Sequence, residues 1–185
     1  MPRATDLAHL LLRHALKPGD WVIDATVGNG HDTLWLAQCV GPSGRVFGFD
    51  VQMEALAATT ARVHDHPQVT LFHVGHEHLE EHLPPDAKGR IAAVLFNLGF
   101  LPGASKTVTT RAETTIAALE QALGALSIGG HITLVLYPGH AEGALEAAAL
   151  RDYARQLPGA FVASHFARLN TRRPAPELLV IERLK

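Results

Sequence analysis

The decapeptide Asp24-Ala25-Thr26-Val27-Gly28-Asn29-Gly30-His31-Asp32-Thr33 sets two glycines among carboxylate, amide, imidazole and hydroxyl side chains. Gly28 and Gly30 carry no Cβ, so the backbone there can close in on a ligand. Asp24, Thr26, Asn29 and Asp32 supply charge and hydrogen bonds beside that approach. About twenty residues past the glycines, Gly48-Phe49-Asp50 offers a carboxylate that can accept from both hydroxyls of a ribose, and Gln52 follows it. The chemistry that these types and spacings suit is the grip on a nucleoside.

A pyrophosphate-bearing dinucleotide needs a third small residue where the following helix packs on its strand, and Thr33 stands there instead. Carboxylates at the loop would also repel a pyrophosphate. The charged amino-acid end of S-adenosylmethionine fits the loop better, with His76, in Gly75-His76-Glu77-His78, beside the adenine edge. The bland alternative is a tight glycine turn and an Asp50 that only caps the next helix. His73, His78 and His82 read as surface histidines.

A second cluster, Asn97-Leu98-Gly99-Phe100-Leu101-Pro102-Gly103, is similar in its first and fourth members to the Asn/Asp-Pro-Pro-aromatic stretch of amine-methylating enzymes. The carbonyl oxygen of Asn97 can orient a neutral amine, and the ring of Phe100 can stack on a planar base, which makes these two the candidate catalytic residues. Against that stands a Gly-Pro loop whose Asn97 bonds its own backbone. Lys106, Thr109, Thr110, Arg111, Thr114 and Thr115 follow, fit either for phosphate or for capping the next helix. Tyr137 and His140, in Tyr137-Pro138-Gly139-His140, are candidate substrate contacts. Arg168-Leu169-Asn170-Thr171-Arg172-Arg173-Pro174 concentrates positive charge that can dock a phosphate backbone or simply be solvated.

The elements that must position these groups follow from the apolar pattern. Leu7, Leu10, Leu11 and Ala15 recur at helical spacing before Lys17-Pro18-Gly19-Asp20 breaks it. Strands are predicted at Trp21 to Ala25, Arg45 to Phe49, Val69 to Val74, Ile91 to Phe96 and His131 to Tyr137, with two β-rich pieces at Phe161 to Phe166 and Leu178 to Glu182. Helices are predicted at Asp32 to Val40, Met53 to His64, Glu113 to Leu126 and Gly143 to Leu157, with Gly129-Gly130 expected to close the third of these. Alternating strands and helices imply an α/β fold with ligands at the carboxyl ends of parallel strands. Two late strands without a helix between them imply an antiparallel hairpin on the sheet edge.

At 185 residues, with 47% hydrophobic and 18% charged side chains, the chain reads as one packed domain over 1–185. A formal net charge of -2 gives no global attraction for a polyanion, so RNA binding must rest on local patches. The lone Cys39 cannot form an internal disulfide, and its partnerless state together with histidines in no zinc spacing implies no metal site. With no apolar run long enough to span a membrane and no secretory signal at the start, the expected address is the cytoplasm.

The three motifs around Gly28-Asn29-Gly30, Asn97 to Gly103 and Tyr137 to His140 closely resemble the small bacterial family long labelled "putative rRNA methylase", also called YtqB-like or MnmM-type. The resemblance covers nearly the whole chain. It implies a Rossmann-like class I methyltransferase fold, with a mainly parallel seven-stranded sheet, an antiparallel edge hairpin and helices on both faces. It also implies S-adenosyl-L-methionine as cofactor and a tRNA anticodon stem-loop as partner. The reaction implied is methylation of the amine of 5-aminomethyl-(2-thio)uridine at the wobble position.

By that resemblance Asn29, Asp32, Asp50, Gln52 and His76 hold the cofactor, with Asp24, Thr26, Gly28 and Gly30 around them. The loop of Leu98, Gly99 and Pro102 faces the uridine, and Lys106, Thr110, Arg111, Tyr137, His140, Arg172 and Arg173 contact the tRNA. Val27, Phe100 and Ala104-Ser105 depart from the family pattern, the last by losing a carboxylate before Lys106. His31, His140 or water can serve as base. Rival readings are a methyltransferase acting on rRNA or on a small-molecule amine or hydroxyl, a nicotinamide dehydrogenase and a non-catalytic RNA-binding module. A homodimer is expected, because a small domain of weak net charge grips a stem-loop better as a pair.

Overall fold

A computed structural model of the protein describes residues 2–99 and 110–185. A single sheet of strands β1 (Trp21–Asp24), β2 (Arg45–Asp50), β3 (Val69–His73), β4 (Ile91–Asn97), β5 (Leu126–Leu136), β6 (Phe161–Phe166) and β7 (Glu177–Arg183) runs in the order β3-β2-β1-β4-β5-β7-β6. Its first five strands pair in parallel. The last two pair antiparallel, with β7 inserted between β5 and β6. The order reverses between β1 and β4, and at such a switch point the connecting helices leave toward opposite faces and open a crevice.

Both faces are covered. Val22, Val46, Ala93 and Leu95 point to one side, under Leu12 of helix α1 (Ala4–Ala15) and Leu36, Ala37 and Val40 of α2 (His31–Val40). Their neighbours Ile23, Phe47, Val94 and Phe96 point to the other, where Leu79 of α4 (Leu79–His82), Leu119 of α5 (Ala112–Ala125) and Leu150 of α6 (Ala141–Arg155) meet them. Period-two alternation with both sides apolar is what a buried parallel strand requires. Helix α3 (Met53–Arg62) covers the outer strands through Ala55, Leu56 and Thr59.

One expected boundary is wrong. Gly129 and Gly130 do not close α5; they lie within β5, which begins directly at Leu126. Leu126 is fully buried, takes an extended backbone and pairs with Ile91, so the chain passes from the helix straight into the sheet with no glycine turn between them. Gly129, at φ +74°, sits where the β4–β5 register shifts. The crossover from β3 to β4 also holds short turns that apolar periodicity does not reveal: 3-10 helices at His76–His78 and Pro85–Ala87, with α4 between them.

Candidate active site

A cleft of about 940 Å³ opens over the carboxyl ends of β1, β2 and β4, at the switch point. Its floor is the glycine loop, which is tied down from two sides. The N–H of Gly28 donates to Oδ2 of Asp50 at 2.8 Å, and Oδ1 of the same carboxylate accepts from the N–H of Gln52 at 2.9 Å. From α3, the Thr59 hydroxyl donates to the Gly28 carbonyl at 3.0 Å and Arg62 Nε to the Asn29 carbonyl at 2.8 Å. Asp50 thus caps the approach to α3 and still keeps a lone pair on each oxygen for a ribose.

Gly30 needs to be glycine for a different reason from the one its sequence position suggests. Its φ is +76°, and a Cβ there would sit 2.6 Å from the Thr59 hydroxyl. The close approach is to α3, and Gly30 does not line the cleft. Asp24 is likewise off the wall: it is fully buried, accepting from the Thr33 hydroxyl at 2.6 Å and from the N–H of Thr26 at 3.2 Å. This explains Thr33, whose hydroxyl satisfies a buried carboxylate where a dinucleotide site would need only a small residue. Burial and the nearby Asp32 charge push the Asp24 carboxyl up to about 7.

Thr26 links the two motifs, because its hydroxyl accepts from the N–H of Asn97 at 2.7 Å. The Asn97 side chain, at the end of β4, donates from Nδ2 to Oδ2 of Asp32 at 3.0 Å and accepts at Oδ1 from the Tyr137 hydroxyl at 2.9 Å. A carboxylate only accepts, so the amide nitrogen must face Asp32, and the carbonyl oxygen is thereby turned toward Tyr137. The other oxygen of Asp32 is held by Nε2 of His9, at 2.7 Å. Burial pushes the Asp32 carboxyl up, but the hydrogen bonds from His9 and Asn97 and the charges of His9 and His31 outweigh it and hold the group below its ordinary value.

His76 closes the far end. Its Nδ1 lies 3.1 Å from the carbonyl of Ala25, so that nitrogen carries the proton and Nε2 keeps its lone pair. Nε2 is buried without a partner among the described residues, and burial pushes the imidazole pKa down. At the other end His140 caps α6, its Nδ1 accepting from the N–H of Gly143 at 3.1 Å.

Of the residues singled out by sequence, Thr26, Gly28, Asn29, Asp32, Asp50, Gln52, His76, Asn97, Leu98, Gly99, Thr110, Arg111, Tyr137 and His140 all line this one cleft. Arg172 and Arg173 do not; they are exposed just before Pro174 and Pro176, which do. Phe100, Pro102 and Lys106 lie outside the described residues. Among the described residues no histidine, cysteine and carboxylate groups gather as a metal site would require.

Sequence reasoning missed His9 and Glu146. Nothing marks His9, because its partner lies on another helix. Glu146 did carry a signal: it sits on the stripe of Gly143, Ala147, Leu150 and Ala154 that α6 buries, where a charge demands partners. They are the Thr110 and Thr115 hydroxyls, donating at 2.8 and 2.7 Å.

Residues 46–182 match the family described as "Putative rRNA methylase". The chain belongs to that family. Its relatives include the chloroplastic "tRNA (mnm(5)s(2)U34)-methyltransferase" of Arabidopsis thaliana, 36% identical over 96% of this chain and 68% of the relative. A crystal structure described as a "putative rRNA-methylase" from Clostridium thermocellum superposes with a TM-score of 0.94 at 36% identity, covering 99% of this chain and 98% of that one. One from Streptococcus mutans, described as a "putative methyltransferase" in complex with SAH, gives 0.89 at 32% identity over 100% and 99%. The family's fold is the Rossmann-like class I methyltransferase fold, as expected from the sequence.

Proposed function

We propose that this chain transfers a methyl group from S-adenosylmethionine to the amine of 5-aminomethyl-(2-thio)uridine at the wobble position of tRNA, giving the 5-methylaminomethyl product. The observation that carries this reading is the oriented amide of Asn97 on the wall of a cleft whose other end is built for a nucleoside. The SAH held by the Streptococcus mutans relative and the tRNA named for the Arabidopsis relative support it.

The residues present fit the cofactor. His76 Nε2 is a buried acceptor without a partner among the described residues, matching the amino group of an adenine. Asp50 retains acceptor capacity for ribose hydroxyls, and Gly28 and Asn29 of the glycine loop line the cleft close by. When bound, S-adenosylmethionine supplies an electrophilic methyl on a cationic sulfur, and the acidic wall of Asp32, Asp50 and Glu142 favours that charge.

The chain's own work is alignment. A protonated ammonium has no lone pair with which to attack, so the amine must arrive neutral and point at the methyl. Asn97 Oδ1 accepts from Tyr137 and has a second lone pair with which to take an amine hydrogen, leaving the nitrogen lone pair directed elsewhere. The N-cap bond occupies Nδ1 of His140, whereas His31 is exposed on the cleft wall, so the proton leaves to His31 or to water.

Arg111 on the wall and Arg172-Arg173 beside Pro174 at the rim supply the phosphate contacts for an anticodon stem-loop. The reading includes one domain that carries the activity and a cytoplasmic address, both inferred from the sequence. A homodimer belongs to it too, supported by β6, which ends the sheet with nearly every residue exposed.

The test is transfer of labelled methyl to bulk tRNA lacking the terminal wobble methylation, followed by nucleoside mass spectrometry. A gain of 5-methylaminomethyluridine or its thiolated form establishes enzyme, substrate and target atom at once. Cofactor binding with no such product overturns the substrate.

A further inference from the structure

We propose that His9 is a positioning residue for the methyl acceptor, acting through Asp32 on the orientation of the Asn97 amide. The proposal rests on the methyl-transfer reading above and concerns a residue on a helix that the cofactor motifs do not include.

Three observations carry it. First, His9 is itself fixed. Its ring stacks on Trp35 with centroids 4.1 Å apart and planes within 3°, and both rings stand on helices packed on the same sheet face. Secondly, its bond to Asp32 has one possible sense, since a carboxylate oxygen only accepts and Nε2 must donate. Thirdly, Asp32 divides its oxygens, Oδ1 to His9 and Oδ2 to Asn97. Without His9 the carboxylate loses the partner that fixes its torsion, and it is largely buried.

The consequence reaches the reacting group. An asparagine amide can turn over by half a rotation and exchange its oxygen and nitrogen at little cost unless neighbours forbid it. Asp32 forbids it here, because Oδ1 turned toward a carboxylate would set two acceptors together. A protonated or rotated Asp32 lifts that prohibition. Asn97 can then turn its N–H₂ toward the incoming amine, and an N–H₂ cannot accept an amine hydrogen. His9 thus keeps the acceptor side of Asn97 toward the substrate from a position outside the cleft lining.

Two variants separate the hydrogen bond from the packing. His9→Phe keeps a ring that can stack on Trp35 and loses the donor, and His9→Gln keeps a donor and loses the ring. The expected result for His9→Phe is a fall in kcat on the order of 10- to 100-fold, the scale of a misplaced reacting group, with SAH affinity and KM for tRNA nearly unchanged. His9→Gln should recover most of that loss. An activity-independent readout is the side-chain amide of Asn97 in a ¹⁵N–¹H spectrum, assigned by its disappearance in Asn97→Ala. In the wild type the two amide protons should be well separated, with one bonded to Asp32, and in His9→Phe they should shift and broaden.

Wild-type kcat in His9→Phe overturns the proposal, as does loss of SAH affinity in step with kcat, which would mark His9 as part of the cofactor loop. So does an unchanged Asn97 amide signal. If the wild type methylates no tRNA, the substrate reading fails by itself, and the amide signal still decides whether His9 orients Asn97.

Discussion

The Thr110 hydroxyl accepts from the N–H of Gly99 at 3.0 Å and donates to the carboxylate of Glu146 at 2.8 Å, while the N–H of Thr110 donates to the Gly99 carbonyl at 3.2 Å. The two residues form a clasp that holds the end of the Asn97 motif against the start of α5. Glu146 anchors it from within, its second oxygen taken by Thr115. A hydroxyl suits position 110, because its single oxygen both accepts the backbone N–H and donates to the acid.

Thr110→Val is therefore expected to lower turnover more than SAH affinity, since Gly99 and Arg111 line the side of the cleft proposed for the substrate and Asp50 and His76 do not depend on the clasp. Thr110→Ser should retain most activity. Steady-state kinetics with tRNA and calorimetry with SAH check the split, and equal losses in both would show that the clasp supports the whole cleft.

The buried Asp24 makes a prediction about pH and stability. Its folded pKa is raised to about 7 against an ordinary value of 3.8, so between those values the folded protein holds a proton that the unfolded chain has released. Stability from this group is fully present below the ordinary value and is lost as pH rises through about 7. Unfolding by urea at pH 5 and pH 8 should show the wild type losing stability relative to Asp24→Asn at the higher pH. Parallel behaviour of the two proteins would mean that Asp24 ionises normally.

Much of the nucleoside end was legible because its determinants are local in sequence. Gly28, Asp50 and Gln52 belong to two consecutive strand–loop–helix units, and the parallel register of β1 and β2 brings them together without further information. Asp24 and Gly30 were placed in the right loop but given the wrong neighbours, since what faces them is Thr33 and Thr59. Spacing along the chain cannot tell a glycine that admits a ligand from one that admits a helix. His9 was illegible as a site residue because it acts through a side chain from a distant element, whereas Glu146 stood out on the buried stripe of α6 and only its partners Thr110 and Thr115 could not be read. The direct passage from α5 into β5 escaped because no turn residue marks the junction of Ala125 and Leu126.

Gly30 allows a test of that correction. With φ at +76° and Thr59 closer than van der Waals contact to any Cβ, Gly30→Ala should destabilise the fold by about 1–3 kcal/mol through strain at a left-handed position. Denaturant midpoints measure this. SAH affinity measured well below the midpoint should remain close to wild type, since Gly30 faces α3. A selective loss of affinity in a stable protein would return Gly30 to the ligand side.

The last prediction concerns His76, the buried acceptor at the nucleoside end. Its Nδ1 proton is committed to the Ala25 carbonyl, so in the proposed cofactor site only Nε2 is left to meet an adenine amino group, as an acceptor. His76→Phe keeps an aromatic ring against Phe96 but removes that acceptor, leaving the adenine amino group desolvated and unpaired. A lost hydrogen bond of this kind costs about 1–3 kcal/mol, so SAH affinity should fall roughly 5- to 150-fold by calorimetry. Because burial lowers the imidazole pKa below its ordinary 6.5, the acceptor survives mild acid, and wild-type affinity should change little through this residue between pH 8 and pH 6.5. A steep loss over that interval that disappears in His76→Phe would show instead that His76 takes up a proton there, and that its lone pair is more open to water than its burial indicates.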